Sequence, residues 1–96
     1  MHLQRSCACS EEACIETDRF SIAYLEHNEP PRQMHTHNWL ELYFCLSGGR
    51  HFVMDDTVYP LADNDLFIIN QFEPHRTEPA AGQVHQRFVL SIMPHF

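Results

Sequence analysis

The most chemically informative stretch of the chain holds two histidines one residue apart and a glutamate four residues further on. These are His35, His37 and Glu41, in the segment His-Thr-His-Asn-Trp-Leu-Glu. Alternate side chains of an extended strand point to opposite faces, so these three, which share parity, would point to the same side. Converging imidazoles and a carboxylate form part of a ligand set for a divalent metal ion. The same groups suit a pocket for a polar ligand, and the spacing leaves both interpretations open.

Four more residues extend this candidate site. Trp39 lies between the ligands with the same parity and is expected either to wall a pocket or to pack in a core or interface. Tyr43 is predicted on the Glu41 face, where its ring would form an aromatic wall. His75, far along the chain, is expected to complete the cluster. Arg76 follows it and could pair with a carboxylate of a bound molecule.

Composition narrows the class of protein. A chain of 96 residues is long enough for one domain. Its net charge of −7 makes it a poor binder of DNA on its own, since DNA binding depends on neutralising phosphates. No apolar run approaches the roughly 20 residues of a membrane span, and no secretory signal is visible. We therefore expect a cytoplasmic protein with no membrane partner.

The pattern of apolar residues predicts an all-β fold. Short strands are predicted at 19–26, 34–37, 41–46, 50–54, 57–60, 66–69 and 86–93. Turns are predicted at Asp55-Asp56 and near Asn64, a residue type that tolerates the left-handed backbone region. We expect a loop over 70–77 and a turn region over 78–83. Many short, regularly spaced strands without a long helix are typical of a β-sandwich or barrel.

The residues of the candidate site resemble the motifs of the cupin superfamily. His35, His37, Glu41 and Gly48 match its first motif, and His75 matches the histidine of its second. The departures are Glu29, Asn64, Asn70, Phe72 and Pro79, which stand where the motifs have Gly, Gly, Pro, Gly and Asn. The resemblance covers about residues 18–96 and implies a small jelly-roll barrel, a double-stranded β-helix. Residues 1–17 are then expected to be a poorly ordered N-terminal arm.

Within the cupins, the chain is most similar to the effector-binding N-terminal domain of AraC-family transcriptional regulators. The runs that carry this similarity are 41–48, 65–69, 74–77 and 87–96. The resemblance implies a non-enzymatic sensor that binds a small polar effector, a sugar or an organic acid, inside the barrel. It also implies a downstream helix-turn-helix region, which would make all contacts with DNA. A homodimer is expected, since edge strands and an apolar face need cover.

The cupin resemblance also implies a ligand set for a metal. In metal-binding cupins the residues that match His35, His37, Glu41 and His75 bind a divalent transition metal, for which we expect Zn, Mn, Fe or Ni. The alternative function is therefore a free-standing metal-dependent cupin enzyme, a dioxygenase or isomerase. A small binding or storage-type cupin is a third interpretation.

Overall fold

The computed structural model describes residues 13–26, 34–80 and 82–95, which form eight β-strands. The strands are β1 (Ala13–Glu16), β2 (Phe20–Leu25), β3 (Leu40–Ser47), β4 (Gly49–Met54), β5 (Thr57–Pro60), β6 (Leu66–Ile69), β7 (His75–Pro79) and β8 (Gln86–Ile92). The described residues contain no helix, so none of them forms a helix that could span a membrane. The predicted all-β class is confirmed.

The strands pair antiparallel in two sheets. The larger sheet has the order β1-β2-β8-β3-β6, and the smaller has the order β5-β4-β7. Strand β3 lies beside β6 and β8 in the larger sheet, although β4 follows it directly in the chain. From β5 to β8 the chain alternates between the two sheets, as in the jelly-roll barrel that the sequence predicts.

The main core is a cluster of buried side chains drawn from both sheets. Its members are Ala23, Leu25, Tyr43, Cys45, Phe52, Leu61, Ile69 and Val89. In β2 and β8 every second residue is buried, as the period of a strand requires. Phe52 of the smaller sheet is completely buried and stacks on Phe67 of the larger one at 4.6 Å between ring centroids.

The predicted turns are confirmed. Met54 pairs with Thr57, so Asp55 and Asp56 form a two-residue hairpin in which Asp55 has a φ of 54°. Asn64 has a φ of 71°, and its N–H donates to the carbonyl oxygen of Cys45 at 2.7 Å. Aspartate and asparagine are the non-glycine residues that adopt such backbone angles most readily.

Two predictions about secondary structure near the site are wrong. Residues 70–77, expected as a loop, include the start of β7, which pairs with β4. Arg76 and Glu78 face away from the core, so the sequence of this strand is polar and does not predict a strand. Residues 34–37, expected as a strand, contribute only an isolated bridge between His35 and His75. No second neighbour pairs there to extend the ladder.

Part of the expected N-terminal arm joins the larger sheet. Ala13–Glu16 pairs with Ser21–Tyr24 and forms one edge. Cys14 in this strand is disulfide-bonded, whereas Cys45 is a free thiol in the core. Residues 1–12 of the expected arm, and Glu29 of the first motif, lie outside the described residues.

Candidate functional site

Three histidine rings gather at one place in the described chain. One ring nitrogen from each of His35, His37 and His75 lies within 4.8 Å of the others. The ring centroid of His75 is 4.3 Å from that of His35 and 4.8 Å from that of His37. His75 is buried, and the other two are half-buried. The structure therefore brings together the three histidines that the sequence singled out, which we call the histidine cluster.

Backbone hydrogen bonds hold the cluster in place. His35 N–H donates to the His75 carbonyl oxygen at 3.2 Å, and His75 N–H donates to that of His35 at 3.1 Å. The His37 carbonyl oxygen accepts from the N–H of Phe72 at 2.7 Å. The Gln71 side-chain amide donates to the carbonyl oxygen of Asn38 at 2.8 Å. The segment before β3 is thus fixed against the loop between β6 and β7, which brings distant histidines together.

The hydrogen bonds of the rings determine where their lone pairs point. His75 Nδ1 lies 2.8 Å from the Glu73 carbonyl oxygen, and His37 Nδ1 lies 3.2 Å from that of Trp39. A carbonyl oxygen only accepts, so each Nδ1 carries a hydrogen and each neutral ring has its lone pair on Nε2. His75 Nε2 is buried and has no hydrogen-bond partner in residues 13–26, 34–80 and 82–95. Carbonyl acceptors behind the ring orient metal-binding histidines in the same way.

Glu41 completes a set of inward-facing acceptors. Its Oε1 lies 3.0 Å from His37 Nε2, and its Oε2 lies 4.0 Å from His75 Nε2. A lone pair on His37 Nε2 and a carboxylate oxygen repel each other at this distance unless a cation, either a proton or a metal ion, lies between them. Two or three imidazoles with one carboxylate are ligands of divalent transition metals. The residues present therefore fit the metal that the sequence motif implies.

Two unsatisfied hydrogen-bond donors adjoin this set. The Trp39 ring is buried and stacks on His37, at 4.3 Å between centroids and 4° between planes. Ser91 lies directly opposite Glu41 in the β3–β8 ladder and is 1% exposed. Trp39 Nε1, Ser91 Oγ and His75 Nε2 are the buried side-chain atoms without a hydrogen-bond partner in the described part of the chain. All three belong to residues of this one neighbourhood.

Sequence reasoning did not find Ser91. Its signal is the alternation of Phe88, Leu90 and Ile92 in the last strand, which places the intervening serine on the opposite face. That face is the buried one. The register of the sheet is needed to show that this buried serine lies opposite a candidate metal ligand.

Tyr43 faces inward as predicted but lies beyond Phe52 from the histidine cluster. Its ring packs at 5.2 Å from Phe52, which in turn lies 6.2 Å from His75 between ring centroids. The Tyr43 hydroxyl donates to Nε2 of His85, whose Nδ1–H donates to the Ser47 carbonyl oxygen at 2.9 Å. Burial raises the pKa of Tyr43 and lowers the pKa of His85. This pair forms a separate, neutral contact in the core.

The structure does not bring Arg76 to the histidine cluster. Arg76 follows His75 in β7, so its side chain points to the opposite face of the strand. There its Nη1 donates to Glu78 Oε1 at 2.9 Å. The expected loop over 70–77 would have allowed Arg76 to turn inward, whereas the strand does not.

Comparison with protein families identifies the fold. The model of the cupin domain matches residues 22–92 of the chain. The chain belongs to the cupin family. Membership of this family explains the matches to the two motifs and the jelly-roll order of the strands, as the sequence predicted. No curated protein sequence matches the chain.

Several solved structures superpose on this one. The DMSP lyase DddQ from Ruegeria pomeroyi DSS-3 is similar with a TM-score of 0.66 and 22% identity, over 85% of this chain and 47% of that one. A putative mannose-6-phosphate isomerase from Ralstonia eutropha JMP134 gives 0.67 and 14%, over 82% and 79%. A Cupin 2 conserved barrel domain protein from Salinispora arenicola CNS-205 gives 0.63 and 14%, over 79% and 63%. These likenesses show the shared fold, and the chain spans about half the length of the lyase.

Proposed function

We propose that this cupin domain binds one divalent transition-metal ion through His35, His37 and His75, with Glu41 as the fourth ligand. The buried Nε2 of His75, which has a lone pair and no hydrogen-bond partner within the described ranges, is the observation that carries the proposal. A buried acceptor left without a partner costs about 1–3 kcal/mol, and a metal ion would remove that cost. When bound, such an ion polarises an oxygen atom of a molecule that reaches its open position.

Metal analysis of purified protein tests this proposal. We expect about one Zn, Mn, Fe or Ni ion per chain in the wild type and none in His75→Ala. His51→Ala is the matched control, because His51 lies near Glu78 on the smaller sheet and outside the cluster. Full metal content in His75→Ala, or none in reconstituted wild type, would contradict the proposal.

The unsatisfied donors indicate the class of molecule that binds beside the metal. Trp39 offers an N–H and Ser91 an O–H, and neither has an acceptor among the described residues. A molecule with a carboxylate or carbonyl group supplies acceptors for both, and its oxygen also suits a metal ion. We therefore propose a small organic acid or a sugar in its carbonyl form, with the acid favoured.

Substitution of Ser91 tests the bound class. We expect Ser91→Ala to weaken binding of the tightest-binding member of a panel of small carboxylates about tenfold, with unchanged metal content. That factor corresponds to one hydrogen bond of about 1.4 kcal/mol. Ser21→Ala is the control, because Ser21 faces the same interior and pairs with Ser91 from β2. Titration calorimetry measures both, and equal affinities in wild type and Ser91→Ala would contradict the assignment.

We propose further that the domain acts as a sensor in an AraC-type regulator. The support for this role is the sequence similarity at 41–48, 65–69, 74–77 and 87–96. A sensor requires that the bound molecule favour one of two states of the attached DNA-binding region. The role predicts that the native gene encodes a helix-turn-helix region downstream and that metal-loaded protein binds its effector without consuming it.

The enzymatic alternative rests on the metal centre itself. A dioxygenase or isomerase would use the same three histidines and Glu41, and His35 and His37 are only half-buried, so small molecules can approach. Product analysis separates the two roles. An enzyme converts the bound acid when metal is present and stops in His75→Ala, whereas a sensor returns the acid unchanged.

A further inference from the structure

The sheets hold His37 less firmly than the other three proposed ligands. His75 lies in β7 and Glu41 in β3, so the ladders with neighbouring strands hold both of these residues. His37 precedes β3, and the isolated bridge of its segment is formed by His35. The hydrogen bond from the Phe72 N–H fixes the backbone of His37 but not the rotation of its ring. The orientation of this ring must therefore come from contacts of the side chain.

Trp39 contacts the His37 ring in two ways. Its carbonyl oxygen lies 3.2 Å from His37 Nδ1 and accepts the hydrogen on that nitrogen. Its indole stacks on the imidazole, with 4.3 Å between centroids and 4° between planes. Rings this close and this nearly parallel are in van der Waals contact. Trp39 thus fixes both the tautomer and the plane of the imidazole, and the Nε2 of His37 is directed at Glu41.

Trp39 is itself held in a defined position. Its side chain is only 4% exposed, and the next residue, Leu40, begins the central strand β3. A ligand that is already locked by buried neighbours does not have to be ordered when it binds, so less conformational entropy is lost. The stacked indole also excludes water from one face of the His37 ring. Trp39 therefore prepares His37 for binding before a metal ion arrives.

The stack becomes stronger when His37 binds a cation. Donation of the Nε2 lone pair to a metal ion draws electron density out of the imidazole, which then carries part of the positive charge. Indole has the most electron-rich face of the aromatic side chains and attracts a cation within about 6 Å of its centroid. A contact that is stronger in the bound state adds to the affinity, whereas an unchanged contact does not. The indole of Trp39 therefore raises metal affinity beyond its contribution to packing.

We propose that Trp39 is a positioning residue of the metal centre and acts through His37. Its carbonyl oxygen and its indole orient the imidazole, and the indole stabilises the metal-bound form of that ring. This role rests on the metal-binding function proposed above. It also separates two parts of the Trp39 side chain, because the face of the indole contacts His37 while Nε1–H, without an acceptor in the described chain, remains for the bound acid.

Fluorinated tryptophan tests the electronic part of this role with almost no change in the shape of the core. The chain contains one tryptophan, so expression in a tryptophan auxotroph with a fluorinated analogue changes position 39 alone. Fluorine withdraws electrons from the indole face and is only slightly larger than hydrogen. We expect the affinity for Zn²⁺, measured by competition with a chromophoric chelator, to fall stepwise from unmodified to monofluorinated to trifluorinated protein. Circular dichroism should stay the same throughout.

Substitutions of Trp39 test the contribution of the ring as a whole. We expect Trp39→Leu to weaken Zn²⁺ binding about tenfold, which corresponds to a cation–π contact of about 1.4 kcal/mol. Trp39→Phe keeps a less electron-rich ring and should have an intermediate affinity for Zn²⁺. Phe67→Leu is the matched control, because Phe67 stacks on Phe52 in the core and not on a proposed ligand. Its affinity for Zn²⁺ should equal that of the wild type.

The outcomes distinguish this proposal from the metal site on which it rests. A wild type that binds no Zn²⁺ would contradict the metal centre and the role of Trp39 together. Equal affinities in unmodified and fluorinated protein would overturn the role of the indole and leave the metal centre intact. Equal losses in Trp39→Leu and Phe67→Leu would also overturn it, since affinity would then follow the packing of the core. If Trp39→Leu does not fold, the fluorinated proteins decide the question.

Discussion

Phe72 has a backbone conformation that its side chain disfavours. Its φ is 62°, in the left-handed region where bulky residues are rare, and its side chain is 65% exposed. The cupin motif has glycine at this position, a residue that adopts such an angle at no steric cost. The angle is needed because it directs the Phe72 N–H to the His37 carbonyl oxygen. The strained backbone of Phe72 therefore forms a hydrogen bond that holds His37 of the cluster in place.

Substitution of Phe72 by glycine should stabilise the domain. The left-handed conformation costs a non-glycine residue about 1–2 kcal/mol, and glycine would remove this cost. Glycine also has more conformational freedom in the unfolded chain, which lowers the stability of the variant by about 0.5–1 kcal/mol. We expect Phe72→Gly to raise the free energy of unfolding by about 0.5–1 kcal/mol in urea denaturation. Ala62→Gly, at an exposed position without positive φ, should lower it. Equal losses in both variants would show that Phe72 is not strained.

His85 should make stability depend on pH. Burial lowers its pKa in the folded protein, so below the unfolded value of about 6.5 the unfolded chain binds a proton that the native chain excludes. The contribution of His85 is therefore fully present above about pH 6.5 and is lost as the pH falls below it, by at most about 1.4 kcal/mol per unit.

Urea denaturation of metal-free protein between pH 7.5 and pH 5 measures this effect. We expect the wild type to lose stability more steeply than His85→Gln, in which glutamine can still accept from Tyr43. The other histidines are common to both proteins, so their contributions cancel in the comparison. Parallel curves for the two proteins would exclude His85 as the source.

At the scale of elements, Gly48 links β3 to β4 and lies in close contact with the segment before β8. Its φ is 82°, and a Cβ built at this position would collide with the Val84 carbonyl oxygen. Glycine is thus required for two reasons. The backbone angle is positive, and the segment before β8 leaves no room for a Cβ. This explains the glycine of the first motif in physical terms.

Gly48→Ala and Gly82→Ala separate these two requirements. Gly82 also has a positive φ, of 75°, but a Cβ there meets no atom of the described residues within 4 Å. We expect Gly82→Ala to cost about 1 kcal/mol from backbone strain, and Gly48→Ala to cost at least about 2 kcal/mol more. Thermal unfolding compares the two variants directly. Similar losses would mean that the segment at Val84 moves aside freely.

The elements that the sequence failed to predict are those whose partners decide their structure. Strand β7 reads as His-Arg-Thr-Glu-Pro, which has no apolar alternation, and it exists because β4 pairs with it. Conversely, 34–37 alternates like a strand but has one bridging residue only. Local sequence does not encode such pairing, since tertiary context decides strand formation at polar segments.

For the whole molecule, the cupin motifs predicted the fold class and the convergence of His35, His37 and His75. The alternation within 19–26 places Phe20, Ile22 and Tyr24 on one face of the strand. The structure shows that this face points outward, which the small and partly polar inward residues of β2 do not reveal in the sequence. The position of Ser91 opposite Glu41 and the position of Arg76 outside the histidine cluster are likewise set by the register of the sheets. Composition does not show either position.

X-ray absorption at the zinc edge, on protein loaded with one equivalent of Zn²⁺, tests the central claim most directly. We expect three imidazole ligands at about 2.0–2.1 Å with oxygen in the remaining shell, and no retained Zn²⁺ in His75→Ala. A spectrum with no more than one imidazole, or a protein that fails to retain the ion, would contradict the claim that these histidines form a metal centre.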